Sequence, residues 1–341
     1  MALQFILGPR GAGKSEYIYE DIIRRTMQDE RENVIVLVPE QYSLEIQRKL
    51  VQKHPRGGSF QIDVIGFNRL AYRIFDELHI KPKKVLEDFG KSMLLRKAAQ
   101  EHKEELSLYA GSLDKAGFID EAKSLMSEIY QYDIPRERLR EALQKLDDSE
   151  EARVLARKLQ DMLVIFDAFE EKKGQSFIVA EQMLELLTAA AEQSELIAGS
   201  EIVLDGFTGF TPIQLNLISV LLRRAKKVTI VLTIDAATYE KKHVAEHELF
   251  ALTKQTIGHL LLTAEQAHVV VEPALFLGKD GCKRWTKGHP LAHLEQNLFR
   301  YPYRVGKDEE QAITITAYDT PAQELTGVAE QIRTLVMEQG Y

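Results

Sequence analysis

Cysteine is almost absent from this sequence. Cys282 is the only one in 341 residues, which excludes an internal disulfide and any zinc or cluster site built from several thiolates of this chain. A lone thiol of this kind reads as a half-buried or solvent-side group. The nine histidines form no HExxH or HxH pattern, so no protein-ligated metal is expected beyond magnesium carried in with a nucleotide. No apolar run approaches the ~20 residues that a membrane-spanning helix needs. The first residues, LQFILG, carry no basic flank and no cleavage site, so neither signal nor transit peptide is expected, and a cytoplasmic location follows. Internal repeats and low-complexity tracts are also missing. The net charge of −8 excludes a surface coated in phosphate-binding side chains, yet leaves room for a local basic track.

What is present is the composition of a globular protein, 45% hydrophobic and 28% charged, long enough for two domains and part of a third. A strand over Leu3–Leu7 leads through a glycine-rich loop into a helix over Lys14–Gln28 with Ile18, Ile22 and Ile23 on one face. NVIVLVP at 33–39 has the unbroken Val/Ile/Leu run of a strand buried on both faces of a parallel sheet. A helix over Ser43–Lys53, a strand over Gln61–Ile65 and a helix over Phe67–Leu78 complete a β-α-β-α-β-α series, an open α/β sheet. From 82 to 194 strand signals vanish and apolar residues recur three and four apart, predicting an all-helical insertion. EIVLDGF at 201–207 and KKVTIVLTID at 226–235 return to the sheet, with a helix over Pro212–Arg224 between them. The expected organisation is an α/β domain of residues 1–81 and 195–272, the helical insertion 82–194, a connection over 273–308, and the start of a further domain at 309–341. That last piece holds a strand over Ala312–Tyr318 and a helix over Pro321–Glu338 and then stops, as a fragment of a longer protein would.

One motif carries chemistry. Gly8, Pro9, Arg10, Gly11, Ala12, Gly13, Lys14 and Ser15 match GxxxxGK[ST] and lie directly between a strand and a helix. The glycines let backbone N–H groups turn inward around a β-phosphate, and the helix N-terminus adds positive potential. Lys14 reaches the β- and γ-phosphates, and Ser15 offers a hydroxyl to Mg²⁺. The acidic partner for that ion is Asp205, which ends the apolar run IVLD. Where hydrolytic P-loop motors place a water-activating glutamate, this sequence has Gly206, so Mg-ATP is expected to be held and turned over slowly, if at all.

With those residues in place, the order of elements resembles the superfamily 1 helicases related to UvrD, and within them the AddB/RexB subunit of bacterial helicase-nuclease complexes. PEQYSLEIQRKL (39–50) stands where that family has its first single-strand-contacting motif, and VIGFNRLAYRIF (64–75) resembles the following one. DGFTGFTPIQ (205–214) resembles DEFQDTxxxQ without its catalytic carboxylate and first glutamine. The resemblance implies that residues 1–81 and 195–272 are a RecA-like domain (1A), that 82–194 is the inserted 1B domain, and that 309–341 opens a second RecA-like domain. Departures accompany it. No adenine-reading glutamine motif precedes Gly8, and LTIDAAT (232–238) lacks the glutamine of GDxxQ. The resemblance thus implies a helicase-like scaffold that is not the motor, working with an AddA-like motor-nuclease subunit on DNA ends in recombinational repair. An iron-sulfur cluster and a nuclease are implied only for a C-terminal part outside this sequence.

Asn68, Arg69, Tyr72 and Arg73 lie at helical spacing where the resemblance places the DNA track; arginine could neutralise phosphate and Tyr72 could stack on a base. They fit equally well the solvated face of a helix that buries Leu70, Ala71 and Ile74. Lys283, Arg284, Trp285 and Lys287 form a second basic, aromatic cluster, more often an ordinary loop, and the run from Lys81 to Lys84 reads as a solvated hinge. Three other functions stay open: an active ATP-driven DNA helicase, which Gly206 and the missing GDxxQ motif oppose; a small-molecule P-loop kinase, which the long helical insertion opposes; and a purely structural role, which would require an empty phosphate loop.

Overall fold

In a computed structural model, β1 (Ala2–Gly8) runs through a parallel sheet of order β3-β2-β6-β7-β1-β8, with β9 also pairing with β1. The structure describes all residues except 30, 82, 116, 148, 175, 279–282, 287 and 310. The other strands are β2 (Asn33–Leu37), β3 (Ile62–Ile65), β6 (Ser200–Leu204), β7 (Lys227–Thr233), β8 (Val270–Val271) and β9 (Leu275–Phe276), and every pairing with its neighbours is parallel. Leu3, Phe5 and Leu7 of β1 point to one face and Ile6 to the other, as the two-residue period of a strand requires.

Helices cover both faces. On one, α1 (Lys14–Gln28) and α2 (Ser43–Lys53) place Ile18, Ile22, Ile23 and Leu50 against Ile6, Val34, Val36, Val64 and Val203. Each such aliphatic side chain stabilises the fold by ~1.5–3 kcal/mol. Gly13 starts α1 in the left-handed conformation at φ 81°, with Glu16 in the first turn and Arg25 in the last complementing the helix dipole. On the other face lie α3 (Phe67–Glu77), α8 (Ala180–Ala191), α10 (Pro212–Arg224) and α12 (Ala251–Gln266), all contributing to one core with Leu3, Phe5, Leu7, Ile65, Leu204 and Ile230. The short α9 (Glu195–Ala198) and α11 (Ala236–Glu240) complete this part.

Between α3 and α8 stands the inserted block, built from α4 (Asp88–Glu101), α5 (Phe118–Gln131), α6 (Arg136–Gln144) and α7 (Glu150–Lys173) around Leu95, Met126, Ile165, Phe166 and Phe169. It is not all-helical, which corrects the expectation for 82–194. The chain enters and leaves through β4 (Lys84–Leu86) and β5 (Phe177–Val179), paired in parallel. Three-residue strands are too short to display an alternation, and their pairing spans the whole insertion, so no local signal marks them. The last helix of the interval, α8, belongs to the core of the sheet through Met183, Leu187, Ala190 and Ala191.

Contacts divide the chain into Met1–Lys279 and Asp280–Tyr341. In the second unit, α13 (Pro290–Asn297) is followed by α14 (Pro321–Gln339), which buries none of its residues. The strand expected over Ala312–Tyr318 does not form; Ile315 is 92% exposed. A strand needs a neighbouring edge to accept its ladder bonds, and the described residues of this unit contain no strand to provide one. Likewise the stretch 273–308 is not only connection, because β9 and α13 lie within it.

One buried charge shapes the inserted block. Asp161, 1% exposed on α7, accepts hydrogen bonds from the backbone N–H groups of Ser107, Leu108 and Tyr109 at 2.8–2.9 Å and from the Ser107 hydroxyl at 3.1 Å. Burial acts to raise its pKa, but these four donors together outweigh it and hold the carboxyl below its usual value. A depressed carboxylate pKa gives stability that is present above the unfolded value, near 3.9, and is lost as pH falls through the folded one. Asp161→Asn is therefore expected to lower stability at neutral pH by about 2 kcal/mol, with the deficit shrinking below pH 4; thermal melts of both proteins across that range measure it.

Candidate nucleotide site

Because the strands are parallel, their carboxyl ends share one rim, the side on which open α/β sheets bind ligands. The loop from Gly8 to Gly13 leaves β1 at that rim. Gly8 is buried, and a Cβ there would lie 2.4 Å from the carbonyl oxygen of Leu277, which follows β9. Leu277 N–H in turn donates to Leu7 O at 2.8 Å, so only glycine fits where the strand turns. Gly11 and Gly13 have φ of 79° and 81°, a region most residues avoid. Ala12 and Lys14 are buried, Pro9, Gly11, Gly13 and Ser15 half-buried, and Arg10 exposed. The Lys14 ammonium donates to the carbonyls of Gly8 and Pro9, at 2.9 Å each, folded over the loop that its motif assigns to phosphate.

Asp205 follows β6, with β7 between it and β1. It is 5% exposed. Its backbone N–H donates to Leu37 O at 3.0 Å, its Oδ1 accepts from Gly206 N–H at 2.8 Å, and its Oδ2 accepts from the Tyr19 hydroxyl at 2.7 Å. Tyr19, 3% exposed on α1, has its pKa driven far upward by burial first and then by the charge and hydrogen bond of Asp205; Ser15 acts in the opposite direction. The structure thus brings Ser15, Tyr19 and Asp205 together. Sequence motifs single out Ser15 and Asp205 but miss Tyr19. Its one signal is a polar tip on the apolar face of α1, four positions after Ser15.

The motifs after β2, β3 and β6 meet on the same rim. Glu40 Oε1 accepts from the backbone N–H of Asn68 at 3.0 Å, capping the start of α3, and Gly66 admits it: a Cβ there would stand 2.2 Å from the Glu40 carboxyl carbon. Phe67 packs against Phe207 and Phe207 against Phe210, with ring centroids 5.4 and 5.2 Å apart. Gln214 accepts from Thr211 N–H at 3.0 Å, and Asp235 accepts from Thr238 N–H at 2.6 Å; both serve helix starts.

Asn68, Arg69, Tyr72 and Arg73 are all exposed on α3, opposite the buried Leu70, Ala71, Ile74 and Phe75. Arg73 forms an ion pair with Asp63 of β3. In the second basic cluster the Arg284 guanidinium lies 5.7 Å from the Trp285 ring centroid, while Lys287 and Cys282 fall outside the described residues. Among the described residues no three His, Cys, Asp or Glu side chains are grouped to hold a metal ion, and no helix is long and apolar enough to cross a membrane.

At Gly206 the backbone has φ 82°, and a Cβ would lie 3.3 Å from the Pro39 ring. A side chain there is strained twice, by conformation and by space, at a cost of ~1–2 kcal/mol for the conformation alone. Gly206→Glu is expected to lower the melting temperature and to yield no phosphate release from ATP above wild type. Melts and a phosphate-release assay measure both effects.

Comparison with known proteins places this arrangement. The family pattern described as ADDB, N-terminal matches residues 5–295. The B subunit of the ATP-dependent helicase/deoxyribonuclease of Lachnoclostridium phytofermentans is 36% identical over all of this chain. The proteins of the same name from Alkaliphilus metalliredigens and Clostridioides difficile are 32% and 30% identical over 100% and 99% of it. The chain spans 30%, 29% and 29% of those three relatives. Matched by that pattern over most of its length and by such relatives from end to end, the chain belongs to the ADDB N-terminal family.

Proposed function

We propose that this chain is the nucleotide- and DNA-binding, helicase-like part of a helicase/deoxyribonuclease component that works with an AddA-like motor-nuclease subunit on DNA ends, and that it is not itself a motor. Nuclease activity and an iron-sulfur cluster belong, in this reading, to sequence outside this chain, and the DNA ends are processed for recombinational repair in the cytoplasm.

The observation that carries the nucleotide half is the placement of Lys14 and Ser15 just after β1 and of Asp205 just after β6 on one rim, with Tyr19 bonded to Asp205, beside a loop whose Gly11 and Gly13 have positive φ. The donor set suits a magnesium-bound triphosphate: an ammonium, a hydroxyl, a buried carboxylate and a helix N-terminus facing one rim. Ser15 and Asp205 would hold the ion, which supplies positive charge against the phosphates. Lys14 would exchange its two carbonyl acceptors for phosphate oxygens, and the amides of Gly8–Gly13 would line the anion. Gly206 supports the non-motor half, since no carboxylate stands next to Asp205 to take a proton from water.

The DNA half rests on α3. Asn68, Arg69 and Tyr72 lie exposed on a helix whose start is pinned to the 39–50 segment by Glu40. Arg73 pairs with Asp63, and of the remaining three, Arg69 and Tyr72 carry the charge and the ring that a phosphate and a base would meet.

Calorimetric titration with Mg·ATP is expected to show binding by the wild type and none by Lys14→Ala; absence of binding to the wild type at millimolar nucleotide would refute the reading. For DNA, Tyr72→Ala is expected to weaken binding of a labelled single strand about tenfold through lost stacking. Arg69→Ala is expected to flatten the salt dependence of that affinity. Anisotropy titrations at several salt concentrations measure both, and variants indistinguishable from wild type would remove α3 from the DNA track.

A further inference from the structure

Tyr19 stands out because packing explains its ring but not its hydroxyl. The ring fills the core beside Ile18, Ile22, Ile23 and Val203, where phenylalanine would bury the same apolar surface. The hydroxyl adds a polar group to a residue that is only 3% exposed, and a buried polar group costs free energy unless it is hydrogen-bonded. Its acceptor is the one carboxylate that the nucleotide site assigns to magnesium, Asp205, 186 residues away in sequence.

Asp205 has few other restraints. A carboxylate turns freely about its last torsion, whose preference is broad, and it offers about four lone-pair positions. Two of these are taken, one on each oxygen, by Tyr19 Oη at 2.7 Å and by the Gly206 N–H at 2.8 Å. The Gly206 amide is next to Asp205 in the chain and moves with it. Tyr19 is thus the donor that ties the carboxylate to a separate element, and that element is α1, the helix that also carries Ser15 one turn earlier. Among the described residues no other donor to the Asp205 carboxylate is recorded.

We propose that Tyr19 is a positioning residue of the nucleotide site, holding the Asp205 carboxylate in the orientation that meets a magnesium ion brought by a nucleoside triphosphate. The inference rests on the nucleotide-binding reading above. Donors behind a metal-binding carboxylate fix its direction, and removing such a partner costs about 10- to 100-fold in metal affinity. A purely structural tyrosine would affect stability and leave the contribution of magnesium untouched.

The test is the affinity of the full chain for ATP, measured by calorimetry with excess MgCl₂ and again with EDTA, for wild type, Tyr19→Phe, Asp205→Asn and the double variant. Wild type should bind more tightly with magnesium. Tyr19→Phe should shrink that ratio about tenfold with its EDTA affinity unchanged, and should have no further effect in the Asp205→Asn background. A ratio unchanged in Tyr19→Phe would overturn the proposal, and so would an increased one, which would make Tyr19 a competitor of the ion. A wild type that binds equally with and without magnesium also overturns it, while leaving the nucleotide reading intact; a wild type that binds in neither condition removes both. If Tyr19→Phe does not fold, Tyr19→Met, which fills an irregular core space without a donor, repeats the comparison under the same criteria.

Discussion

The parallel ladder of β6, β7 and β1 is the constraint on which the rest depends. Each of these strands is buried on both faces, so their connections cannot cross the sheet and must turn at its ends. Parallel pairing sets all carboxyl ends on one rim, and the loops after β1, β2, β3, β6 and β7 gather there whatever their sequence separation. The loop after β1 and Asp205 after β6 come to the same rim because β7 pairs with both strands. The glycine at position 8 follows from the same crowding, since the segment after β9 runs against the end of β1 and leaves no room for a Cβ.

On that rim, positions that the helicase resemblance marks for chemistry perform local structural work. Glu40 caps α3, Gln214 caps α10 and Asp235 caps α11. Gly206 holds a left-handed turn against Pro39 where a motor would place its carboxylate. At positions 40, 214 and 235 the side chains satisfy helix termini.

Legibility differed sharply between elements. α1, α2 and α10 begin and end where their apolar spacing and punctuation place them. Gly13 before α1 and Pro212 at the start of α10 are local devices that act within a turn. β4 and β5 were invisible because three residues carry no period. The strand expected at 312–318 had the right apolar content, but a strand is a property of a pair of segments. α8 looked like part of the helical insertion because its apolar spacing states that it is a buried helix and not against what it is buried.

The sequence by itself therefore determined the glycine-rich loop after β1, the helix it opens, the alternation of strand and helix, and the glycine at 206, since each is written within a few neighbouring residues. Tertiary structure alone decided that Tyr19 reaches Asp205, that Glu40 caps α3, that Arg73 is drawn to Asp63, and that a side chain at Gly206 would crowd the Pro39 ring. Those facts depend on which strands lie side by side, a choice made by burying apolar faces across segments far apart in the chain. Short-range pattern cannot encode such distances, because the hydrophobic effect that fixes them is non-directional and acts on the whole chain at once.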